Sequence, residues 1–389
     1  MANRRSRERE TSTRKRTKKN KITSGFFDYS LLFIVLFLVA FGLVMVYSTS
    51  SYTAELKTGS SAYYLKRQGM FAVLGIFAMI FVSKMDYHWW KKVSLLMMYA
   101  IIVLLFLVLV VGKASNGSVR WIQLGPVQFQ PSEAAKVVIV LYTAHVATIR
   151  AARIGDPKIL LKAVAFPMAV VTLIAVENLS TGIICAAMVA VIVFVTSPKF
   201  KQFFAIGGVL VGFMLIFLFT QRYRLDRIRI WLNPEKYEKG YQTLQALYAI
   251  GSGGIFGKGL GQSIQKLGFI PESHNDMIFS VICEELGLFG AACVIGLFVI
   301  LVWRCVMVAM SAPDLYGALI VVGVTTHIAV QVLINVAVVT NSIPPTGVPL
   351  PFISYGGTSV LFLLAEMGLA LSVGGVLLMD AEERNGEKK

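Results

Sequence analysis

Pro271-Glu272-Ser273-His274-Asn275-Asp276-Met277 closes a polar stretch, 221–275, and opens an apolar run that continues to about Val302. An acidic side chain therefore stands where water meets hydrocarbon, at the first turn of a spanning helix. Outward from this point the same pattern repeats. Apolar runs occupy about 29–48, 68–83, 94–112, 131–148, 159–176, 180–197, 202–220, 276–302, 314–340 and 357–379. Each can cross a hydrocarbon core about 30 Å thick, the second run being short. The chain is 56% hydrophobic over 389 residues, more apolar surface than a soluble domain can bury. The spacing predicts an all-α polytopic membrane protein with about ten transmembrane helices. A large extracytoplasmic loop, 221–275, falls between the seventh and eighth. Residues 1–25 are expected to form a disordered basic cytoplasmic arm, 26–379 the ten-helix membrane domain, and 380–389 a cytoplasmic tail. The first apolar run is of spanning length and no small-residue cleavage site follows it, so no cleavable signal peptide is expected.

The net charge is +16, and ten Lys or Arg lie between Arg4 and Lys21. Nucleic acid is not the expected partner. A basic arm beside a spanning helix marks the cytoplasmic side and touches anionic lipid. With the N-terminus inside, the inner connections carry Lys84, Lys91, Lys92, Arg150, Arg153, Lys199, Lys201 and Arg304. The short outer connection at Glu177-Asn178 and the one at 341–356 have no basic residue. Long loops translocate largely regardless of charge, so the basic 221–275 stretch is no objection. Ten crossings return the C-terminus to the inside, and every unusual polar motif then opens on the outer face or lies beneath it. The four cysteines have no metal-site spacing and read as small packing residues.

The motifs follow from that placement. Asn116-Gly117-Ser118-Val119-Arg120-Trp121-Ile122 leads to Gln130-Pro131-Ser132-Glu133-Ala134-Ala135-Lys136. Pro131 suits a first helical position, and Glu133 and Lys136, three apart, share a helix face. An interfacial ion pair and a polar patch facing a cavity are both open readings. Arg120-Trp121 suits a phosphate at headgroup level. Arg222, Arg224, Arg227 and Arg229 precede Gly251-Ser252-Gly253-Gly254-Ile255-Phe256-Gly257-Lys258-Gly259-Leu260-Gly261. That glycine-rich backbone reads either as a re-entrant turn or as a surface that approaches an anionic headgroup.

Asp276 suits an N-cap, and orphan amides with the helix dipole would stabilise its ionised form, as a base requires. Glu284 and Glu285 lie about 12–14 Å further into the helix. Such residues face protein or water, so a structural partner and a functional cavity compete. His327, Gln331 and Asn335, four apart, form a stripe that reads as interhelical glue or as cavity lining. Four prolines and three glycines in Asn341–Ser359 exclude a helix, so this segment reads as a rigid wall of a site.

In combination these stretches resemble the SEDS family (shape, elongation, division and sporulation), which includes FtsW, RodA and SpoVE. The resemblance rests on Arg120-Trp121-Ile122 to Gln130-Pro131-Ser132-Glu133, on Gly251 to Gly261, and on Pro271 to Asp276 with Glu284-Glu285-Leu286-Gly287. It rests above all on Thr346-Gly347-Val348-Pro349-Leu350-Pro351-Phe352-Ile353-Ser354-Tyr355-Gly356-Gly357. It looks closest to the FtsW and SpoVE branch. The chain departs from common family residues at Asn275, Ala246, Asn341 and Asn178.

The resemblance implies a peptidoglycan glycosyltransferase of cell division or cell shape. It would polymerise lipid II on the outer face of the bacterial cytoplasmic membrane, beside a class B penicillin-binding protein and other divisome or elongasome membrane proteins. It implies Asp276 as the essential carboxylate and Glu133 with Lys136 as a polar pair. Substrate contacts are expected from Arg120, Trp121, Ser132, Glu133, Lys136, Lys266, His274, Asn275, Ser354, Gly356 and Gly357. Glu284, Glu285, His327, Gln331 and Asn335 are candidate cavity lining. The donor sugar is α-linked and the glycan β-linked, so inversion needs one base for the attacking hydroxyl. A diphosphate leaves as a stable anion, so cations can replace the acid; Arg120, Lys136, loop arginines or a divalent metal such as Mg2+ would serve. No cofactor is otherwise expected. A lipid II transporter and a non-catalytic scaffold are the rival readings, but no internal repeat is evident and the motifs crowd one face.

Overall fold

The apolar runs fold into long helices whose ends are fixed by short polar side chains. The computed structural model describes residues 28–115, 118–124, 127–197, 199, 207–208, 212 and 222–386. Its helices are α1 (Tyr29–Thr58), α2 (Tyr63–Ser83), α3 (His88–Val111), α4 (Pro131–Arg150), α5 (Pro157–Glu177), α6 (Leu179–Thr196), α7 (Arg222–Leu232), α8 (Tyr241–Gly253), α9 (Ile278–Ser311), α10 (Leu315–Val339) and α11 (Thr358–Gly386). Among the described residues nine are long and apolar enough to cross a membrane, all except α7 and α8. Apart from residues 207–208 and 212, the expected span at 202–220 lies outside the described residues, as does the basic arm.

Capping explains the boundaries. Asp28, Asp156, Asn178 and Asp314 each accept a backbone N–H in the first turn of α1, α5, α6 and α10. Pro131 and Pro157 occupy the first helical position of α4 and α5. Asn178 also ends α5, so one residue makes the tight corner to α6, against which Gly182 packs on Ala175. Gly59 closes α1 in the left-handed conformation, and its N–H donates to Glu55 O.

Two features were not foreseen. The connection after α3 is a small antiparallel sheet of β1 (Lys113–Ser115), β2 (Ser118–Leu124) and β3 (Val127–Phe129). Among the described residues these three are the strands, so the expected all-α bundle carries one small β-ribbon. The 221–275 stretch, expected as a loop, holds α7 and α8.

Without a hydrophobic force between helices in lipid, close packing at small residues and buried polar contacts hold the bundle. Gly75 of α2 meets Leu361 and Leu364 of α11, and Gly368 of α11 meets Met79 and Val82 of α2. Gly42 of α1 lies against the backbone of Phe352 and Ile353. Cys185, Cys283 and Cys305 are buried and free; Cys293 is free and exposed.

α9 is interrupted at Gly287, with φ 69° and ψ −170°. The freed groups do not go unpaired. Lys258 N and Gly259 N donate to the carbonyls of Glu284 and Glu285 at 2.9 Å each. Leu288 N and Phe289 N donate to the carbonyls of Gly254 and Ile255 at 2.9 and 3.0 Å. The glycine-rich segment is therefore a re-entrant clip laid against a broken helix. Gly253 and Gly257 press on α9 backbone where a Cβ has no room. Its glycines approach protein, where the sequence also allowed a ligand. Irregular backbone at this depth survives because its polar groups are satisfied.

Candidate functional site

The turn Pro271–Met277 sits where four elements meet. Ser273 Oγ donates to Thr49 O of α1 at 3.1 Å. Tyr355 N donates to His274 O at 2.9 Å. Asn335 Nδ2 of α10 donates to both Asp276 O and Val348 O at 2.8 Å. Asn275 N donates to Glu272 O at 2.9 Å, and Asn275 Nδ2 to Glu272 Oε2 at 2.9 Å, which tightens the turn.

Asp276 does not cap α9. The cap position is Met277, and no side chain accepts there. The carboxyl is half-buried and set deep in surrounding protein, and desolvation pushes its pKa up to about 6. Its own backbone N–H opposes this, Glu272 adds to it, and Arg227 opposes it. The expected stabilisation of the ionised form by the helix end is thus outweighed by burial. Gly347, with φ +72°, leaves the carboxylate uncovered; a Cβ there would lie 4.0 Å from Asp276 Oδ2. Arg227 of α7 is held nearby, its Nη1 donating to Pro345 O at 3.1 Å. Trp231 of the same helix donates to Asn341 O at 2.9 Å.

The wall from Asn341 to Gly357 is non-helical, as its prolines require. Gln331 Nε2 donates to Pro349 O at 2.9 Å. Ser354 is buried, and its Oγ accepts Leu350 N at 2.8 Å. Gly356 N and Gly357 N donate to Gln68 Oε1 at 3.2 Å each, and Gln68 Nε2 donates to Ser354 O at 3.1 Å. Among the described residues three non-glycines have positive φ, Glu272, Asn341 and Phe352, and all lie in the turn or this wall. Strain of that kind persists where surrounding contacts over-determine the backbone, as at functional sites.

The other expected site residues divide into separate groups. Glu133 Oε1 and Lys136 Nζ pair at 3.0 Å, both buried, and Ser359 Oγ donates to Glu133 Oε2 at 2.7 Å. Ser132 is buried beside them in the sequence. His327 Nδ1 meets Glu366 Oε2 at 2.6 Å. The stripe on α10 therefore ties helices and wall together: His327 to α11, Gln331 to Pro349, Asn335 to the Asp276 turn. Those bonds are the interhelical glue the sequence allowed; His327 Nε2, Gln331 Oε1 and Asn335 Oδ1 are buried with no partner among the described residues.

Glu284 and Glu285 are fully buried rather than facing open space. Glu284 pairs with Lys258 at 2.7 Å and also accepts from Ser263 Oγ, Ile264 N and Gln265 N. Glu285 pairs with Lys266 at 2.7 Å and accepts from Ser48 Oγ at 2.8 Å. Lys266 is itself buried, so its ammonium is engaged inside the protein rather than offered to a substrate. Charges taken from water need such partners, which is why both acids anchor the clip. His274 is buried against Tyr64, ring centroids 4.4 Å apart, and near Tyr355; burial pushes its pKa down to about 4, with Lys57 adding. Arg120 is half-buried on β2, and its Nε donates to Glu177 O at 3.1 Å; Trp121 follows it, also half-buried.

Sequence reasoning passed over Glu366, although an acid within the apolar run 357–379 was a visible signal. It also passed over Gln68, Ser48 and Glu272, whose partners lie far along the chain or whose type is common at surfaces. Among the described residues no group of three or more His, Cys, Asp or Glu is placed to hold a metal ion.

Residues 29–375 match the family described as cell cycle protein, FtsW, RodA and SpoVE. The chain is 39% identical over 353 residues to stage V sporulation protein E of Bacillus subtilis, covering 89% of this chain and 96% of that protein. It is 37% identical over 357 residues to a probable peptidoglycan glycosyltransferase FtsW of Trichlorobacter lovleyi, covering 89% and 93%. Its fold is similar to a chain of a peptidoglycan synthase complex that coordinates polymerization and crosslinking, with TM-score 0.76, 28% identity and coverage of 90% and 98%. It is also similar to the rod shape determining protein RodA of Thermus thermophilus, with TM-score 0.67, 28% identity and coverage of 90% and 97%.

Proposed function

The chain belongs to the FtsW, RodA and SpoVE family, and as a membrane-embedded peptidoglycan glycosyltransferase we propose that it polymerises lipid II with Asp276 as general base. The observation that carries this reading is the Asp276 carboxyl itself, half-buried, uncovered by Gly347 and poised near pKa 6. A base is most effective when its pKa lies near the operating pH.

The chemistry follows. The acceptor 4-hydroxyl oxygen attacks the anomeric carbon of the donor sugar. Its proton passes to Asp276, and the C1–O bond to the diphosphate breaks with the electron pair leaving on the lipid diphosphate. Attack from the face opposite the leaving group converts an α-linkage to a β-linkage. Arg227 is the cation closest in effect to Asp276 and supplies charge to the departing anion. Arg120, half-buried on β2, is a secondary candidate for a contact to the diphosphate. Mg2+ needs only one or two carboxylates plus phosphate oxygens, so the exposed Glu272 is the donor that could hold such an ion against the diphosphate, where it would neutralise charge. Asn335 fixes the backbone of the base.

The basic residues Lys91, Lys92, Arg150 and Arg304 lie at the end of the bundle opposite Asp276, which supports cytoplasmic termini and an outer-face site. The likeness to a synthase complex supports a cross-linking partner of the class B penicillin-binding type. A transport path is disfavoured, because the described intramembrane carboxylates Glu133, Glu284, Glu285 and Glu366 are each paired inside the protein. The test is polymer formation from purified lipid II, with the cross-linking partner added, by an Asp276→Ala protein that still folds and binds that partner. Loss of at least about 100-fold in rate is expected. A normal rate would reject Asp276 as the base.

A further inference from the structure

At the end of the bundle opposite Asp276, α3 and α4 part to leave a cavity of about 360 Å³. That volume falls within the range of about 300–1,000 Å³ typical of small-molecule sites. Its polar side is cationic: Lys91 and Lys92 from the start of α3, and Arg150 from the end of α4. Among the described residues no acidic side chain lines it. Two nearby acids, Asp86 and Asp314, are taken up by His88 at 2.7 and 2.5 Å. Lys91 Nζ lies 5.6 Å from the Tyr316 ring centroid, and Arg150 Nη1 donates to Lys162 O at 3.2 Å, so both cations are positioned without being neutralised. His145 in the lining has a buried Nδ1 with no hydrogen-bond partner among the described residues.

The other side of the cavity is apolar. Leu95 and Ile149 line it and are themselves 48% and 66% exposed, on faces that a bilayer would cover. A cationic pocket that continues into a lipid-facing apolar wall matches a molecule with a phosphate at one end and acyl chains at the other. Three uncompensated charges select an anionic headgroup over a zwitterionic one. We infer that this cavity is a binding site for the phosphate headgroup of an anionic phospholipid in the leaflet opposite Asp276, with the acyl chains lying along Leu95 and Ile149. Basic pockets between transmembrane helices at the cytoplasmic level take such headgroups on physical grounds.

The test uses the full chain in nanodiscs or mild detergent, with native mass spectrometry reading bound lipid. Phosphatidylglycerol should be retained at least about fivefold better than phosphatidylcholine of the same chain length, and each cation removed should lower retention about fivefold. Lys92→Gln is the first variant, because Lys92 is exposed and its loss leaves no buried group unpaired. Arg150→Gln is the second. Lys158→Gln, an exposed lysine outside the cavity, should change nothing. Equal retention of the two lipids by the unmodified chain overturns the inference whatever the variants do. Retention unaffected by Lys92→Gln and Arg150→Gln also overturns it. Inorganic phosphate that displaces phosphatidylglycerol at equal concentration would make the free anion the ligand and overturn the lipid source.

Discussion

In the proposed mechanism two side chains set the chemistry at the residue scale. Burial raises the Asp276 pKa from an ordinary aspartate value to about 6. A base must be ionised, so the polymerisation rate should rise with pH through about 6 and level off above it, as a pH–rate profile would show. The same shift has a stability sign. A carboxyl whose folded pKa is raised contributes stability below its unfolded pKa and loses it as pH rises through the folded value. Asp276→Asn should therefore unfold at a higher temperature than the unmodified chain at pH 8, while losing activity. Asn335 acts through Asp276, because one amide group holds both Asp276 O and Val348 O. Asn335→Leu is expected to lower kcat about tenfold with little change in KM and to shift the pH midpoint. A proportional fall in folded protein with an unchanged midpoint would reduce Asn335 to a packing residue.

At the scale of elements, the broken α9 and its clip decide where the Asp276 turn can stand. Gly287 has φ 69°, and a Cβ there would meet Gly257 N and Ile255 O. Gly287→Ala combines left-handed strain with backbone overlap and should cost at least about 2 kcal/mol, read by thermal unfolding. The clip is fastened by ions. Lys266→Met strands Glu285 in the interior, which costs about 3–5 kcal/mol when one partner of a buried pair is removed. Lys266→Met with Glu285→Gln should recover most of that loss. A single variant as stable as the unmodified chain would show that the pair does not anchor the clip.

For the whole molecule, the bundle separates two polar ends by one membrane thickness. Glu133 and Arg150, seventeen residues apart on α4, are about 25 Å apart along its axis. The end with Asp276 carries the strained turn and wall; the other carries the cavity with Lys91, Lys92 and Arg150. In a background with the four native cysteines replaced, Asn275→Cys should react with an impermeant thiol reagent on intact cells. Lys158→Cys should react only after permeabilisation. The opposite pattern would invert the orientation and place the base on the inner face.

Much of this was legible in the chain, because a bilayer asks little of a sequence beyond runs of apolar residues with polar punctuation. Pro131 and the 341–357 wall stand where local chemistry puts them. The motif residues around Asp276 were visible as well, since polar groups at that depth are rare. What needed the tertiary structure was the direction each polar group takes. Glu284, Glu285 and Lys266 read as site residues until their partners came into view, 19 to 26 positions apart along the chain. The glycines that could admit a ligand admit α9 instead. The Asp276 pKa, too, is a property of the packing around it. Apolar length is written in neighbouring residues, whereas burial and pairing depend on segments that meet only after the helices have assembled.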